Sequence, residues 1–180
     1  MDGYVQLDEI SMDILKEIGN VGTGNAVTSL SRMMEQPIEL DLPSLKVVKY
    51  YKMHELLEQP EELQTGILIE VTGQLKGIFL FMLSEAFTKT VINTILGEEE
   101  RNLTSLDDME CSLISELGNI MCGSYIRALS QLMDMDMDVS VPELCIDMGG
   151  AILTYPMSRW VIVSDDILLI ENIFHMSGEI

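Results

Sequence analysis

Apolar residues recur at intervals of three and four through residues 8–35 and again through 106–133, which predicts a long amphipathic helix in each place. In the first, Ile14, Ile18 and Val21 form the stripe expected to be buried. Leu7-Asp8-Glu9 and "SLDDME" put acids near the helix starts, where the helix dipole favours them. Alternating segments follow, "PIELDLP" and "MDVSVP", each read as a strand closed by a proline. The first half continues with a connecting segment containing a short helix near "MHELLEQ". A β-hairpin of "TGILIEVTG" and "LKGIFLFML" comes next, then a helix "SEAFTKTVINTILG" ending on Gly97. The second half has "GGAILTYPMSRW" and a strand "ILLIENIF". This mixture predicts an α/β sandwich of the α+β kind, with a mainly antiparallel sheet and the two long helices on one face.

The halves resemble each other. Shifted by 99 residues, "ILKEIGNVGTG" falls on "LISELGNIMCG", matching Glu17 with Glu116, Gly19 with Gly118, Asn20 with Asn119 and Gly24 with Gly123. Leu30, Ser31, Met34 and Pro43 match Leu129, Ser130, Met133 and Pro142 in the same register. The expectation is one domain, 1–180, built of two repeats at about 7–97 and 105–180 and joined by the loop "GEEERNLTS" at 97–105. Gly178 then stands where Gly77 begins the partner strand of the hairpin. The second half is thus expected to lack a closing strand of about seven residues, leaving an edge open to self-pairing.

An apolar fraction of 47% in 180 residues supports a real core and argues against disorder. Ten basic against thirty acidic side chains give a formal net charge of −20. Such a surface repels phosphate backbones and anionic headgroups, so neither nucleic acid nor membrane is expected as a partner. No apolar run is long enough for a membrane span, and "MDGYVQLDEI" lacks the features of a secretory signal. Cys111, Cys122 and Cys145 are odd in number and read as reduced cysteines, which points to the cytoplasm.

The chemistry lies on the long helices. Spacings of four and three put Asp13, Glu17 and Asn20 on one helix face, and both halves keep Glu, then Asn, then a glycine one turn on. A helical glycine costs on the order of 1 kcal/mol relative to alanine, and close approach of another surface is its usual return. The alternative is tight packing between the helices themselves. The pattern [Asp/Ser]-x3-Glu-x2-Asn-x22-Pro is fitted by Asp13, Glu17, Asn20 and Pro43, and again by Ser112, Glu116, Asn119 and Pro142. In this the chain resembles the CheC/CheX/FliY family of chemotaxis phosphatases, and two complete copies resemble its CheC-type members.

The resemblance implies a hydrolase that removes phosphate from the aspartate of the response regulator CheY. Mg²⁺ is expected on the regulator, and no cofactor or metal on this chain. Asn20 and Asn119 would each orient a water in line with phosphorus, as a glutamine does in some GTPases. Glu17 and Glu116 would pair with a regulator lysine. Asp13, Ser112, Pro43 and Pro142 would support the helices and end strands. The resemblance also implies the receptor deamidase CheD as a partner, with Asp147 in "IDMGGAILTYP" as a candidate contact. The alternatives are thus a CheD-binding adaptor or a FliY-like phosphatase domain of the flagellar switch.

Other constellations do not hold. "GNVGTGNA" lacks the spacing and the lysine of a phosphate loop. Asp134, Asp136 and Asp138 resemble the start of a calcium loop, but Val139 and Cys145 stand where glycine and glutamate are required, so they read as the solvated side of a strand. His54 and His175 are the only histidines, and no cysteine pair has metal spacing. No nucleophile elbow occurs, and the fourteen methionines read as core filling.

Overall fold

The computed structural model describes residues 8–41, 44–55, 57, 59–160, 166–171 and 173–176. The first long helix, α1, spans Glu9–Met33 and is capped by Asp8, whose carboxylate accepts from the Ser11 N–H at 2.7 Å. That bond holds the Asp8 carboxyl below its ordinary pKa. Short strand β1 (Ile38–Leu40) and β2 (Ser44–Lys49) follow, then a 3-10 turn over Tyr50–Glu55. The long strand β3 (Leu63–Gly73) turns into β4 (Gly77–Ser84), and Ser84 caps α2 (Glu85–Leu96). A second 3-10 turn, Leu103–Ser105, leads into α3 (Asp108–Met133). Asp107 and Glu110 close a reciprocal capping box on α3. Strands β5 (Met137–Val139) and β6 (Glu143–Met148), helix α4 (Gly149–Trp160), and strands β7 (Asp166–Glu171) and β8 (Phe174–Met176) complete the order.

Every strand pairing among the described residues is antiparallel. β3 is flanked by β4 on one edge and by β6 and β5 end to end on the other. β7 and β8 pair with β2 and β1 in the same manner. The registers correspond closely. Leu63 faces Met148 and Val71 faces Val139, while Asp166 faces Lys49 and Phe174 faces Leu40. The bends correspond too: Ser140 N–H donates to Glu70 O at 2.9 Å, and Asp41 N–H to Ile173 O at 3.2 Å. Both long helices also end alike. Glu35 and Asp134 adopt the left-handed conformation (φ 53° and 51°), and the next residues, Gln36 and Met135, donate to Ser31 O and Ser130 O.

α3 packs on β3 and β6, α1 on β1 and β2, and the two helices pack against each other. Leu30, Ile67, Ile69, Val91, Ile92, Ile114 and Leu117 form the centre of the core. Gly22 admits the Tyr125 ring, since a Cβ at residue 22 would stand 2.4 Å from its Cδ1. The Tyr125 hydroxyl lies 2.6 Å from Thr23 Oγ1, which satisfies both buried polar groups.

Several expectations need correction. Ile14 does not join the buried stripe: it is 49% exposed, and burial on α1 begins at Ile18. On α3 burial begins at Ile114, because α2 and Leu103 pack against that helix. No described element covers the start of α1 in the same way. The strand read in "MDVSVP" does stop before Pro142, at Val139. Pro142 marks the corner between β5 and β6, two strands on one partner, and β2, β6 and α4 were not read from the pattern. The helix expected near "MHELLEQ" is the 3-10 turn over Tyr50–Glu55, with Pro60 disfavouring helix in the residue before it. The segment "ILLIENIF" is two strands rather than one, and together they take the place of β3. The connection from β2 to β3 runs over 50–62 and that from β6 to β7 over 149–165, four residues longer. Among the described residues no strand pairs with the second edge of β7; Gly178 itself lies outside them.

Candidate functional site

The helical period carries Asp13, Glu17, Asn20 and Gly24 along one side of α1, and all four are exposed. The opposite side of the same helix buries Ile18, Gly22, Ala26 and Leu30. On α3, Ser112, Glu116 and Asn119 are exposed and Gly123 is half-buried, above a buried side of Ile114, Leu117, Met121 and Tyr125. Each packed face therefore fixes the orientation of an open strip. The candidates Glu17 and Asn20 are brought together on one helix, Glu116 and Asn119 on the other.

The glycines on these helices divide into two kinds. A Cβ at Gly22 or Gly118 would collide with Tyr125 or Ile67, at 2.4 and 2.5 Å. At Gly24 and Gly123 a Cβ would meet nothing within 4 Å. The glycine one turn past each asparagine is thus bare towards solvent, and packing within the domain does not explain it. The sequence reading missed the roles of Gly22 and Tyr125, although a second glycine beside Gly24 hinted at close helix contact.

The strips differ in detail. Asn119 Nδ2 donates to Glu116 Oε2 at 3.3 Å, whereas no such bond joins Asn20 to Glu17. Asp13 pairs with Lys16 at 3.5 Å, and Ser112 instead turns its hydroxyl back to Asp108 O at 2.7 Å. Pro43 lies outside the described residues. Asp147 sits at the exposed end of β6, its carboxylate accepting from the Met148 N–H at 2.7 Å. It is remote in sequence from both strips and starts no helix turn, because α4 begins at Gly149. Gly149 and Gly150 tie that helix start to the preceding connection through Glu62 O and Pro60 O. Asp134 is the left-handed residue closing α3, and only Asp138 of the three alternating aspartates lies in a strand.

A flat strip carrying an acid, an amide and a bare glycine suits a macromolecular surface better than a small molecule. An open apolar cleft lined by Leu103, Leu106, Cys111, Leu144 and Ile146 contains none of these groups. Among the described residues no three His, Cys, Asp or Glu side chains gather as metal ligands. No described helix is long and apolar enough to cross a membrane. Cys122 is buried, which pushes its thiol up to about 12. Burial, then Asp108, Asp107 and Glu110, raises Cys111; burial, then Asp147, raises Cys145.

The pattern of the CheC-like family matches the chain twice, over residues 10–46 and 109–146. Over these two stretches the chain resembles the CheC-like family. It is 27% identical over 176 residues to the CheY-P phosphatase CheC of Bacillus subtilis, covering 96% of this chain and 84% of that protein. It is 31% identical over 108 residues to the CheY-P phosphatase CheX of Thermotoga maritima, covering 57% and 66% of the two chains. The crystal structure of Thermotoga maritima FliY superposes with a TM-score of 0.75 at 23% identity, over 97% of this chain and 87% of that one, a likeness of fold. Each of the two CheC-like stretches contains one full motif, from Asp13 to Pro43 and from Ser112 to Pro142.

Proposed function

We propose that this protein hydrolyses the aspartyl phosphate of the response regulator CheY at two sites, one on each long helix of a duplicated domain. The observation that carries the reading is the exposed Glu–Asn pair, present at the same spacing on α1 and α3 and followed each time by an open glycine. The relatives named as CheY-P phosphatases support the substrate.

Regulator-bound Mg²⁺, together with the regulator's own lysine, would neutralise the phosphoryl charge. The remaining task is to fix a water in line with phosphorus. A carboxamide suits it, because its oxygen accepts from the water while its nitrogen donates. Among the described residues the Asn20 amide has no hydrogen bond to give up, and the Asn119 amide has one, the 3.3 Å contact with Glu116. Glu17 and Glu116, one turn earlier, offer a carboxylate to a basic side chain of the regulator, which fixes register along the strip. The bare glycine one turn later lets the regulator surface approach the helix backbone.

The test is the decay of phosphorylated CheY with wild type, Asn20→Ala, Asn119→Ala and the double variant. Each single variant should lose one site's turnover with the fold intact, and the double should fall by ~100-fold or more. A folded double variant with undiminished activity would sink the water-positioning role. The second reading, docking of CheD, is favoured by the exposed Asp147 beside Met148, which is 50% exposed. Unchanged CheD affinity in Asp147→Lys would remove Asp147 as the contact.

A further inference from the structure

A basic residue past the bare glycine stands on only one of the two strips. One turn past Gly123, the exposed Arg127 donates its Nε–H to Gly123 O at 3.1 Å. The residue 99 positions earlier is Thr28, whose hydroxyl donates to Gly24 O at 3.0 Å. Matching carbonyls are thus met by different chemistry. Threonine uses its one donor on this bond. Arg127 keeps its terminal guanidinium nitrogens, and its charge, without a protein partner among the described residues. Gly123 lies four residues past Asn119, about 6 Å along the axis at the usual helical rise. The Nε bond anchors the guanidinium near that level, so it stands close to one turn from the amide.

Charge singles out the same residue. The chain carries a net charge of −20, and the basic residue on the other strip, Lys16, is already paired with Asp13. An exposed guanidinium with free nitrogens beside Asn119 is a preformed fork for a carboxylate or a phosphoryl group.

We infer that Arg127 is a substrate-positioning residue of the second strip, binding an oxyanion on the phosphorylated face of the regulator, and that the first strip lacks this contact. The inference rests on the phosphatase reading above. Glu116 and Arg127 then bracket Asn119 with opposite charges, so the regulator engages at two points: a basic side chain on Glu116 and an oxyanion on Arg127. A regulator docked end for end would meet like charges at both points, which discriminates against that orientation. On α1 the carboxylates of Asp13 and Glu17 are followed by neutral Thr28, leaving only the half that attracts a cation.

Single-site backgrounds make the test clean. Asn20→Ala leaves the second strip active, and Asn119→Ala the first. In the Asn20→Ala background, Arg127→Ala should lower kcat/KM for phosphorylated CheY about five- to tenfold, chiefly through KM, and flatten its dependence on salt. Arg127→Lys should recover part of the loss. In the Asn119→Ala background Arg127→Ala should change nothing. Titration with unphosphorylated and beryllofluoride-loaded CheY separates the oxyanions. Weakening confined to the loaded form assigns the phosphoryl group, equal weakening of both assigns a regulator carboxylate, and either supports the contact. Unchanged KM and affinity in the Asn20→Ala background overturn it. If wild type binds CheY without speeding loss of phosphate, the hydrolytic reading fails while the titrations still decide Arg127. If wild type neither binds nor hydrolyses, both fail.

Discussion

Glu110 carries three interactions at the start of the helix that holds the second strip. Its Oε1 accepts from Arg101 Nε at 2.6 Å, its Oε2 from the Asp107 N–H at 2.9 Å, and its own N–H donates to Asp107 Oδ1 at 2.8 Å. The side chains of Arg101 and Glu110 are 7% and 12% exposed, so this pair is largely withdrawn from water. Arg101 also donates to Asn93 Oδ1 and to Gly97 O at 2.8 Å, which ties the end of α2 to the start of α3. Glu110→Ala removes half of the capping box, worth about 0.5–1 kcal/mol. It also leaves a buried guanidinium facing a lost partner, a change that costs about 3–5 kcal/mol in comparable buried pairs. Glu99, 3.8 Å from Arg101 and well exposed, offsets part of that, so about 3–4 kcal/mol is a fair total. At roughly 2–4 °C per kcal/mol for a chain of this size, the melting temperature should fall by about 6–16 °C. The control is Glu85→Ala, which breaks the more open Lys89–Glu85 pair and should cost under about 1 kcal/mol. Arg101→Met with Glu110→Leu should be less damaging than either charge removed alone. Thermal unfolding of these variants, with Arg101→Met and Glu110→Leu measured singly, decides the matter. A Glu110→Ala melting point within 3 °C of wild type, or strictly additive single changes, would refute the clamp.

Alanine at Gly123 meets no atom and should stabilise α3 by about 0.5–1 kcal/mol, yet turnover of phosphorylated CheY at that site should fall. Full turnover in the stabilised variant would mean that the bare glycine is not a contact. Glu35→Gly removes a left-handed glutamate and should raise the melting temperature by a few degrees, since that conformation costs an L-residue about 1–2 kcal/mol. The same change at Asp134 should gain less, because aspartate tolerates the conformation better. The Cys122 thiol titrates at about 12 in the fold against an ordinary 9.0, so the unfolded chain ionises first. Its contribution is intact below pH 9 and is lost as pH rises towards 12, and Cys122→Ala should flatten that limb of a urea-midpoint profile. Under native conditions a thiol reagent should label Cys145 before Cys111, and Cys122 only on unfolding.

What could be read from the residues divides along physical lines. The long helices were legible because twenty-five residues of three-four spacing, bounded by capping acids, leave few alternatives. The strips were legible because helical geometry fixes which side chains share a face. Strands β2 and β6 were missed because a proline stands between two short strands, and local pattern cannot reveal that β5 and β6 share β3 or that β1 and β2 pair with β8 and β7. Ile14 was misplaced for a related reason. Periodicity identifies an apolar face but not what covers it, and the elements covering the matching part of α3, α2 and Leu103, come from the far side of a hairpin.

Comparison of the two halves carries information in both directions. Where they agree, at Glu17 and Glu116, Asn20 and Asn119, Gly24 and Gly123, packing does not account for the agreement, because the acids and amides are exposed and a Cβ at either glycine would meet nothing within 4 Å. A shared demand from outside the domain accounts for it more simply. Where they differ on the same face, at Asp13 and Ser112 or Thr28 and Arg127, the core is equally indifferent to the change. The difference is one of charge, and it lies where a regulator would sit. The two strips therefore present the same amide chemistry with different docking electrostatics. Raising the salt concentration should lower turnover more steeply in Asn20→Ala, which retains the strip with two opposite charges, than in Asn119→Ala, which has only the anionic half. Equal salt slopes for the two single-site variants would show that the charges distinguishing the strips lie outside the contact.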